Sequence, residues 1–232
     1  MLQNRSFVLG GYLLAWLILA GGSGLIAYTS FSYYSLGSAH SFLLENEPFS
    51  EGIFFRISLY LHVIAGCVCL LSTLPQFIRP FLRRWPQVHR WSGKVYVFSI
   101  LLVLCPTGFY LSLFAKGGLV GKGLFVLLGA ATAYTTWRGF IAIIKGRRHE
   151  HVQWIARSFA FASSAITFRV CHVLFHYLSM EPSENYFLSL ILSIFGNWFV
   201  VELLLYRAYH KRNVSSISSI NQPNVTYHEN LS

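Results

Sequence analysis

The chain has 232 residues, of which 54% are hydrophobic, 17% are aromatic and only 11% are charged. A soluble domain usually carries about 25% charged residues. Together with a mean hydropathy of +0.51, this composition excludes a disordered chain and disfavours an ordinary soluble domain. There are 18 Lys and Arg but only eight acidic residues, all of them Glu. We interpret the net charge of +10 as a sign of membrane topology and expect no nucleic-acid partner.

Six apolar runs, each bounded by charges or turn residues, predict six membrane spans in a lipid bilayer. Spans of about 22 residues would use about 130 residues and leave the rest for loops and tails. The predicted spans are 7–29, 53–78, 95–115, 123–144, 154–178 and 186–207. We interpret the first as an uncleaved span, because its apolar stretch is long and its cleavage-site candidates are poor. The sequence therefore predicts an all-α six-helix membrane bundle over 1–210, followed by a flexible polar tail over 211–232.

The segments between these runs alternate in charge. Segments 79–94 and 145–151 carry Lys and Arg in excess, as does the start of the tail, whereas the only charged residues of segments 30–52 and 179–185 are Glu. The positive-inside rule then places the basic segments and both termini in the cytoplasm. We expect a multi-pass protein of the inner (plasma) membrane of the cell.

One group of polar residues falls in the outer halves of the predicted spans. Ionisable side chains inside a bilayer are costly and are usually functional. His62, Arg169 and Asn197 lie at similar depths, and His172 and His176 follow Arg169 on one helix face. Because no span offers an acid at the depth of Arg169, we expect an anionic group nearby. That group could be a cofactor propionate, a small anionic ligand or a lipid headgroup.

A second group lies at the cytoplasmic boundary. His89 precedes span 3 and His151 precedes span 5, and Arg157 lies one turn further in. Glu202 is the only acid deep in any span, so we expect it to pair with Arg157 or with Arg138. A buried ion pair of this kind can fix helix register, and we place Glu202, Arg157 and Asn197 in such a structural polar set.

Neutral imidazoles from two facing helices can bind haem iron. The pair His89 and His151 would bind one haem at the cytoplasmic side, and the pair His62 and His172 would bind a second in the outer half. Arg157 and Arg169 would then be available for the haem propionates. Two such sites would form an electron path across the membrane, with a quinone or a redox partner protein as the electron partner.

The same histidines also permit a zinc site. Span 2 contains Ser58-x-x-x-His62 and span 5 contains His172-x-x-x-His176, so that His62, His172 and His176 could form a three-histidine site with an open water position. This resembles intramembrane zinc amidohydrolases such as ceramidases and progestin/adiponectin receptors. Those proteins also need an Asp, which this chain lacks. A third interpretation is that the histidines only form hydrogen bonds within the bundle.

Several elements from span 2 onward follow one another in a specific order. They are His62 in LHVIAG, Pro75-Gln76-Phe77, HRWSGKVYV at 89–97, HVQWIARSFAF at 151–161, Thr167-Phe168-Arg169, and Asn197 followed by Glu202. Over about 150 residues they resemble a family of bacterial multi-span membrane proteins classed as a domain of unknown function. The family elements are HRWLGRxYV, HRxWMIRSxAL, a TLR triplet and a late Asn and Glu.

This resemblance groups seven residues into one constellation and leaves out His172 and His176. The seven are His62, His89, His151, Arg157, Arg169, Asn197 and Glu202. The family itself implies no activity. From the paired histidines we favour a cytochrome-b-like redox protein with haem b bound through histidines. The alternatives are a transporter or sensor that binds a small anion at Arg169, and an intramembrane zinc hydrolase. No residue is assigned a catalytic role, and the sequence has no nucleotide-binding fingerprint.

Overall fold

The computed structural model of the protein describes residues 52–77 and 84–220, with side chains to residue 210, and eight helical positions between 17 and 28. Within these ranges the chain is helical and contains no strand. Five helices are long and apolar enough to cross a membrane. They are α1 (Ile53–Gln76), α2 (Pro86–Ser112), α3 (Gly118–Ile144), α4 (Arg148–Tyr177) and α5 (Pro182–His210). The predicted all-helical membrane fold class is thereby confirmed.

The predicted first span, 7–29, lies mostly outside the described residues. Among its described positions, Ile26 is buried and packs with Leu70 of α1 and Ile166 of α4. Glycine at position 22 permits this contact, because a Cβ at that position would lie only 2.7 Å from the side chain of Ile166.

Four helices begin earlier than the apolar runs predict, and the difference is largest for α2 and α4. Helix α2 begins at Pro86 instead of 95, and α4 begins at Arg148 instead of 154. Hydropathy detects only the apolar part of a helix, whereas backbone hydrogen bonding continues through polar turns outside the hydrocarbon. Proline at the first helical position also favours the early start of α2. The basic segments 79–94 and 145–151 are therefore partly helical, which corrects their prediction as connecting loops.

Consecutive helices are joined by short connections and run antiparallel. The starts of α2 and α4 therefore lie with the ends of α1, α3 and α5. We call this end of the bundle, which includes 86–94 and 145–151, the basic end, and the end with the loops 113–117 and 178–181 the opposite end. Within the described residues, α3 and the first half of α4 share the most extensive packing, and they are joined by a tight turn in which Gly146 has a φ of +72°.

Three of the helices are irregular near the middle of the bundle. Helix α2 is π-helical over Ser99–Leu104, and α5 is π-helical over Leu192–Gly196. Helix α4 is divided at Ser163 into Arg148–Ala162 and Ser164–Tyr177. Such irregularities release backbone groups, which in a membrane must find partners inside the protein.

Candidate functional site

His151 is held in a defined orientation at the basic end. Its Nδ1 lies 2.8 Å from the carbonyl oxygen of Gly139 on α3. Since a carbonyl only accepts hydrogen bonds, Nδ1 must carry the hydrogen, and the neutral ring then keeps its lone pair on Nε2. Glycine at 139 allows this approach, because a Cβ there would lie 2.7 Å from the Ile155 side chain.

His89 lies within electrostatic reach of His151. The His89 side chain is partly buried, and its Nδ1 is enclosed without a hydrogen-bond partner among the described residues. Its backbone is fixed by Gln76, whose amide nitrogen donates to the His89 carbonyl at 2.8 Å and contacts the Ser92 hydroxyl at 2.5 Å. The structure thus brings together two imidazoles, from α2 and α4, at the basic end. One has a fixed ring, and the other has an unused buried nitrogen.

A buried hydroxyl cluster lies deeper in the bundle behind these histidines. The Ser158 hydroxyl is 2.8 Å from the Tyr96 hydroxyl and 2.6 Å from the Thr136 hydroxyl. Both Ser158 and Thr136 are fully buried. The cluster joins α2, α3 and α4 one to two turns from His151. It satisfies its own polar groups and so acts as a rigid support for the histidine pair.

Glu202 pairs with Arg157, and not with Arg138, within the described part of the chain. Arg157 donates from Nε at 2.5 Å and from Nη2 at 2.9 Å to the two carboxylate oxygens of Glu202. The Arg157 guanidinium also lies 4.9 Å from the ring centre of Trp154. Glu202 therefore uses two of the five N–H donors of Arg157, and the expected contact of Arg157 with a haem propionate stays a prediction.

His62 lies at a close crossing of α1 and α2. Its Nδ1 is 3.0 Å from the Thr107 hydroxyl, and a Cβ added at Gly108 would lie 3.0 Å from the His62 ring. The glycine therefore makes room for the imidazole between the helices. Arg169 lies within electrostatic reach of His62 and of Cys67. This agrees with the similar depth expected for His62 and Arg169.

Arg169 and Asn197 have separate surroundings. Arg169 donates from Nη1 to the Ala165 carbonyl at 2.9 Å. Asn197 instead bridges the division of α4, since its amide nitrogen donates to the Ala160 carbonyl at 3.1 Å and its oxygen accepts from Thr167 at 3.0 Å. Asn197 therefore satisfies backbone released at Ser163 and belongs to the architecture of α4.

The three histidines of the zinc hypothesis are not assembled into a site. His172 stacks on Phe168 with ring centres 5.6 Å apart, whereas His176 is exposed beside Tyr177. The described residues contain no group of three His, Cys, Asp or Glu side chains placed to hold a metal ion. Spacing along α4 puts His172 and His176 on one face, but His62 is already engaged with Thr107 on α2. His62 and His172, the pair expected to bind a second haem, also contact different residues. His62 contacts Thr107, whereas His172 stacks on Phe168.

The sequence analysis missed the residues that position His151. Gly139 acts through its backbone carbonyl, and no residue pattern marks a carbonyl acceptor. Thr136 and Ser158 are common residues in membrane helices, so neither is conspicuous alone. Thr136 lies three residues before Gly139, and Ser158 lies seven residues after His151. These spacings put Thr136 on the helix face of Gly139 and Ser158 on the helix face of His151, which could have indicated the cluster.

The fold and these contacts define a multi-pass α-helical membrane protein with polar clusters inside the bundle. A family model described as "Predicted membrane protein (DUF2306)" matches residues 59–205, and the chain belongs to this family. The match confirms the predicted resemblance to an uncharacterised membrane family. No curated protein and no solved structure matches the chain.

Proposed function

We propose that this protein is a membrane haem protein in which His89 and His151 would together hold one haem b. The observation that carries the proposal is the His89–His151 pair itself, with an unpartnered buried Nδ1 on His89 and a fixed tautomer on His151. Metal-ligating histidines usually donate their second ring nitrogen to a carbonyl or a carboxylate, as His151 does to Gly139. A buried unpaired ring nitrogen is costly in an apolar bundle unless it has a use.

The donor set fits haem better than it fits a bare metal ion. Two neutral imidazoles from facing helices are a haem b ligand set, whereas zinc needs at least three protein ligands. The Gly139 carbonyl orients His151 and increases the basicity of its Nε2. The hydroxyl cluster of Ser158, Tyr96 and Thr136 keeps α2, α3 and α4 in register around the pair.

A bound haem would supply one-electron transfer at the basic end. Because the sequence contains no nucleotide-binding fingerprint, we propose a quinone in the bilayer or a separate redox protein as the electron partner. The protein's own residues would hold the cofactor, exclude water from it and fix both rings in the neutral state. Arg90, adjacent to His89 and exposed, is the proposed cation for a haem carboxylate.

Absorption spectra of the protein purified after expression with ample haem test this proposal. We expect a Soret band that shifts on reduction with dithionite, and its loss in His89→Ala and in His151→Ala. His149→Ala is the matched control, because His149 is an exposed neighbour of His151 and should keep the full spectrum. A colourless wild-type protein, or spectra unchanged in both ligand variants, would refute haem binding by this pair.

A second candidate function is the binding of a small anion at Arg169. The observation that favours it is the placement of Arg169, partly buried in α4, within electrostatic reach of His62. The Arg169 cation then lies near the His62 imidazole inside a membrane bundle, where an anion would stabilise the guanidinium charge. Titration calorimetry with small carboxylates and phosphate tests it. Binding should be lost in Arg169→Gln and retained in Arg207→Gln, which changes an exposed arginine on α5.

A further inference from the structure

An apolar groove lies on the outer surface between α2 and α3. Its volume is about 430 Å³. The walls include Phe98, Leu101 and Leu102 of α2 and Tyr134, Trp137 and Phe140 of α3. Leu102 is 68% exposed and Trp137 is 51% exposed, so the groove opens to the surface that faces lipid. A hydrocarbon chain is the kind of group that such walls accommodate.

An exposed arginine lies next to this groove. Arg138 donates from Nη1 to the hydroxyl of Tyr134, a groove residue, at 2.9 Å. Its guanidinium also lies 4.7 Å from the ring centre of Trp154. No acid pairs with Arg138 among the described residues, whereas the other arginine over Trp154, Arg157, is neutralised by Glu202. One positive charge therefore remains on this part of the surface.

The position of Arg138 along α3 fits the level of lipid headgroups. Helix α3 has 27 residues and is about 40 Å long, which exceeds a hydrocarbon core of about 30 Å by about 5 Å at each end. Arg138 precedes the last residue, Ile144, by six positions, or about 9 Å. It thus lies about one turn inside the hydrocarbon boundary at the basic end, within reach of a phosphate for a side chain of its length.

We propose that the groove and Arg138 together bind one anionic phospholipid, with an acyl chain in the groove and the phosphate on Arg138. Basic pockets between membrane helices recognise anionic headgroups in this way. Lys145 and Arg148 are exposed at the same end but do not line the groove. The apolar walls distinguish this ligand from free phosphate, which has no group to fill them.

Native mass spectrometry of the full chain tests the proposal. The protein is exchanged into detergent that contains equal amounts of phosphatidylglycerol and phosphatidylcholine with the same acyl chains. We expect the wild type to retain phosphatidylglycerol in preference. In Arg138→Gln the ratio of the two bound lipids should fall about fivefold, the factor that corresponds to about 1 kcal/mol per basic residue.

Three further variants separate the pocket from general charge. Arg138→Lys should keep most of the preference, and Arg148→Gln should keep it fully. Leu102→Trp, which fills the groove from its exposed rim, should weaken retention of both lipids. An unchanged ratio in Arg138→Gln would overturn the proposal. So would an equal fall in Arg148→Gln, an Arg138→Lys variant as weak as Arg138→Gln, or displacement of the lipid by inorganic phosphate.

Discussion

Arg157 of α4 and Glu202 of α5 form a two-point ion pair, with N–O distances of 2.5 and 2.9 Å. The two side chains are 22% and 34% exposed, so the pair is largely shielded. Trp154 covers the guanidinium on one face. The pair adds a charged contact to the hydrogen bonds that Asn197 of α5 makes with α4, and it contributes to the register of the two helices.

Glu202→Gln should destabilise the protein by about 2–3 kcal/mol, because it leaves the Arg157 guanidinium partly buried without its counter-charge. The figure is below that for a fully buried pair because Glu202 is one third exposed. Glu150→Gln is the matched control, since the Arg147–Glu150 pair is 46% and 40% exposed and should contribute less than about 1 kcal/mol. Thermal unfolding in detergent measures both. Equal small losses would show that the Arg157–Glu202 pair is effectively solvated.

Gly139→Ala should destabilise the protein by about 1–3 kcal/mol. The added methyl group would lie 2.7 Å from the Ile155 side chain and 3.3 Å from the Ile155 backbone nitrogen, so α3 and α4 must separate. Gly123→Ala, on the same helix with nothing within 4 Å of the added Cβ, should be neutral or slightly stabilising. In thermal unfolding, Gly139→Ala should therefore melt at a lower temperature than Gly123→Ala. If haem is bound, Gly139→Ala should also alter its spectrum, because the carbonyl that orients His151 moves.

Asn197→Ala should loosen α4 at its division. The change removes the bonds to the Ala160 carbonyl and to Thr167, so that this carbonyl keeps only the bonds from the Ser163 and Ser164 hydroxyls. The expected loss is about 1–3 kcal/mol. Thr167→Val removes only one of these bonds and should cost less. Hydrogen exchange of amides 160–167, measured together with thermal unfolding, would show faster exchange in Asn197→Ala. Exchange at the wild-type rate would contradict the bridging role.

The topology also remains a prediction with a direct test. Fusion of a cytoplasmic fluorescent reporter after Arg148 should be fluorescent, and fusion of a periplasmic phosphatase after Met180 should be active, because positively charged segments stay in the cytoplasm. The reversed pattern would place the basic end outside. It would also move the proposed haem and lipid sites to the other membrane face.

The sequence alone was sufficient for the membrane class and for five of the six spans. Hydropathy is averaged over about 20 residues, so it does not depend on the contacts of individual side chains. It was less reliable at helix ends. The start of α2 at Pro86 depends on backbone hydrogen bonds that continue past the apolar run. The similar depth of His62 and Arg169 was also accessible from sequence, since depth follows from the rise per residue.

Which side chains meet was decided only by the tertiary structure. Depth along a helix leaves rotation about its axis and the choice of neighbour open, so Glu202 could have paired with Arg157 or Arg138, and His62 could have joined His172 and His176. The packing of α4 on α5 brings Arg157 to Glu202, and the crossing at Gly108 places His62 against Thr107. The Gly139 carbonyl that orients His151 carries no side-chain signal at all. The sequence determined which polar groups lie in the membrane and at what depth, whereas helix rotation and close packing decided which of them share a site.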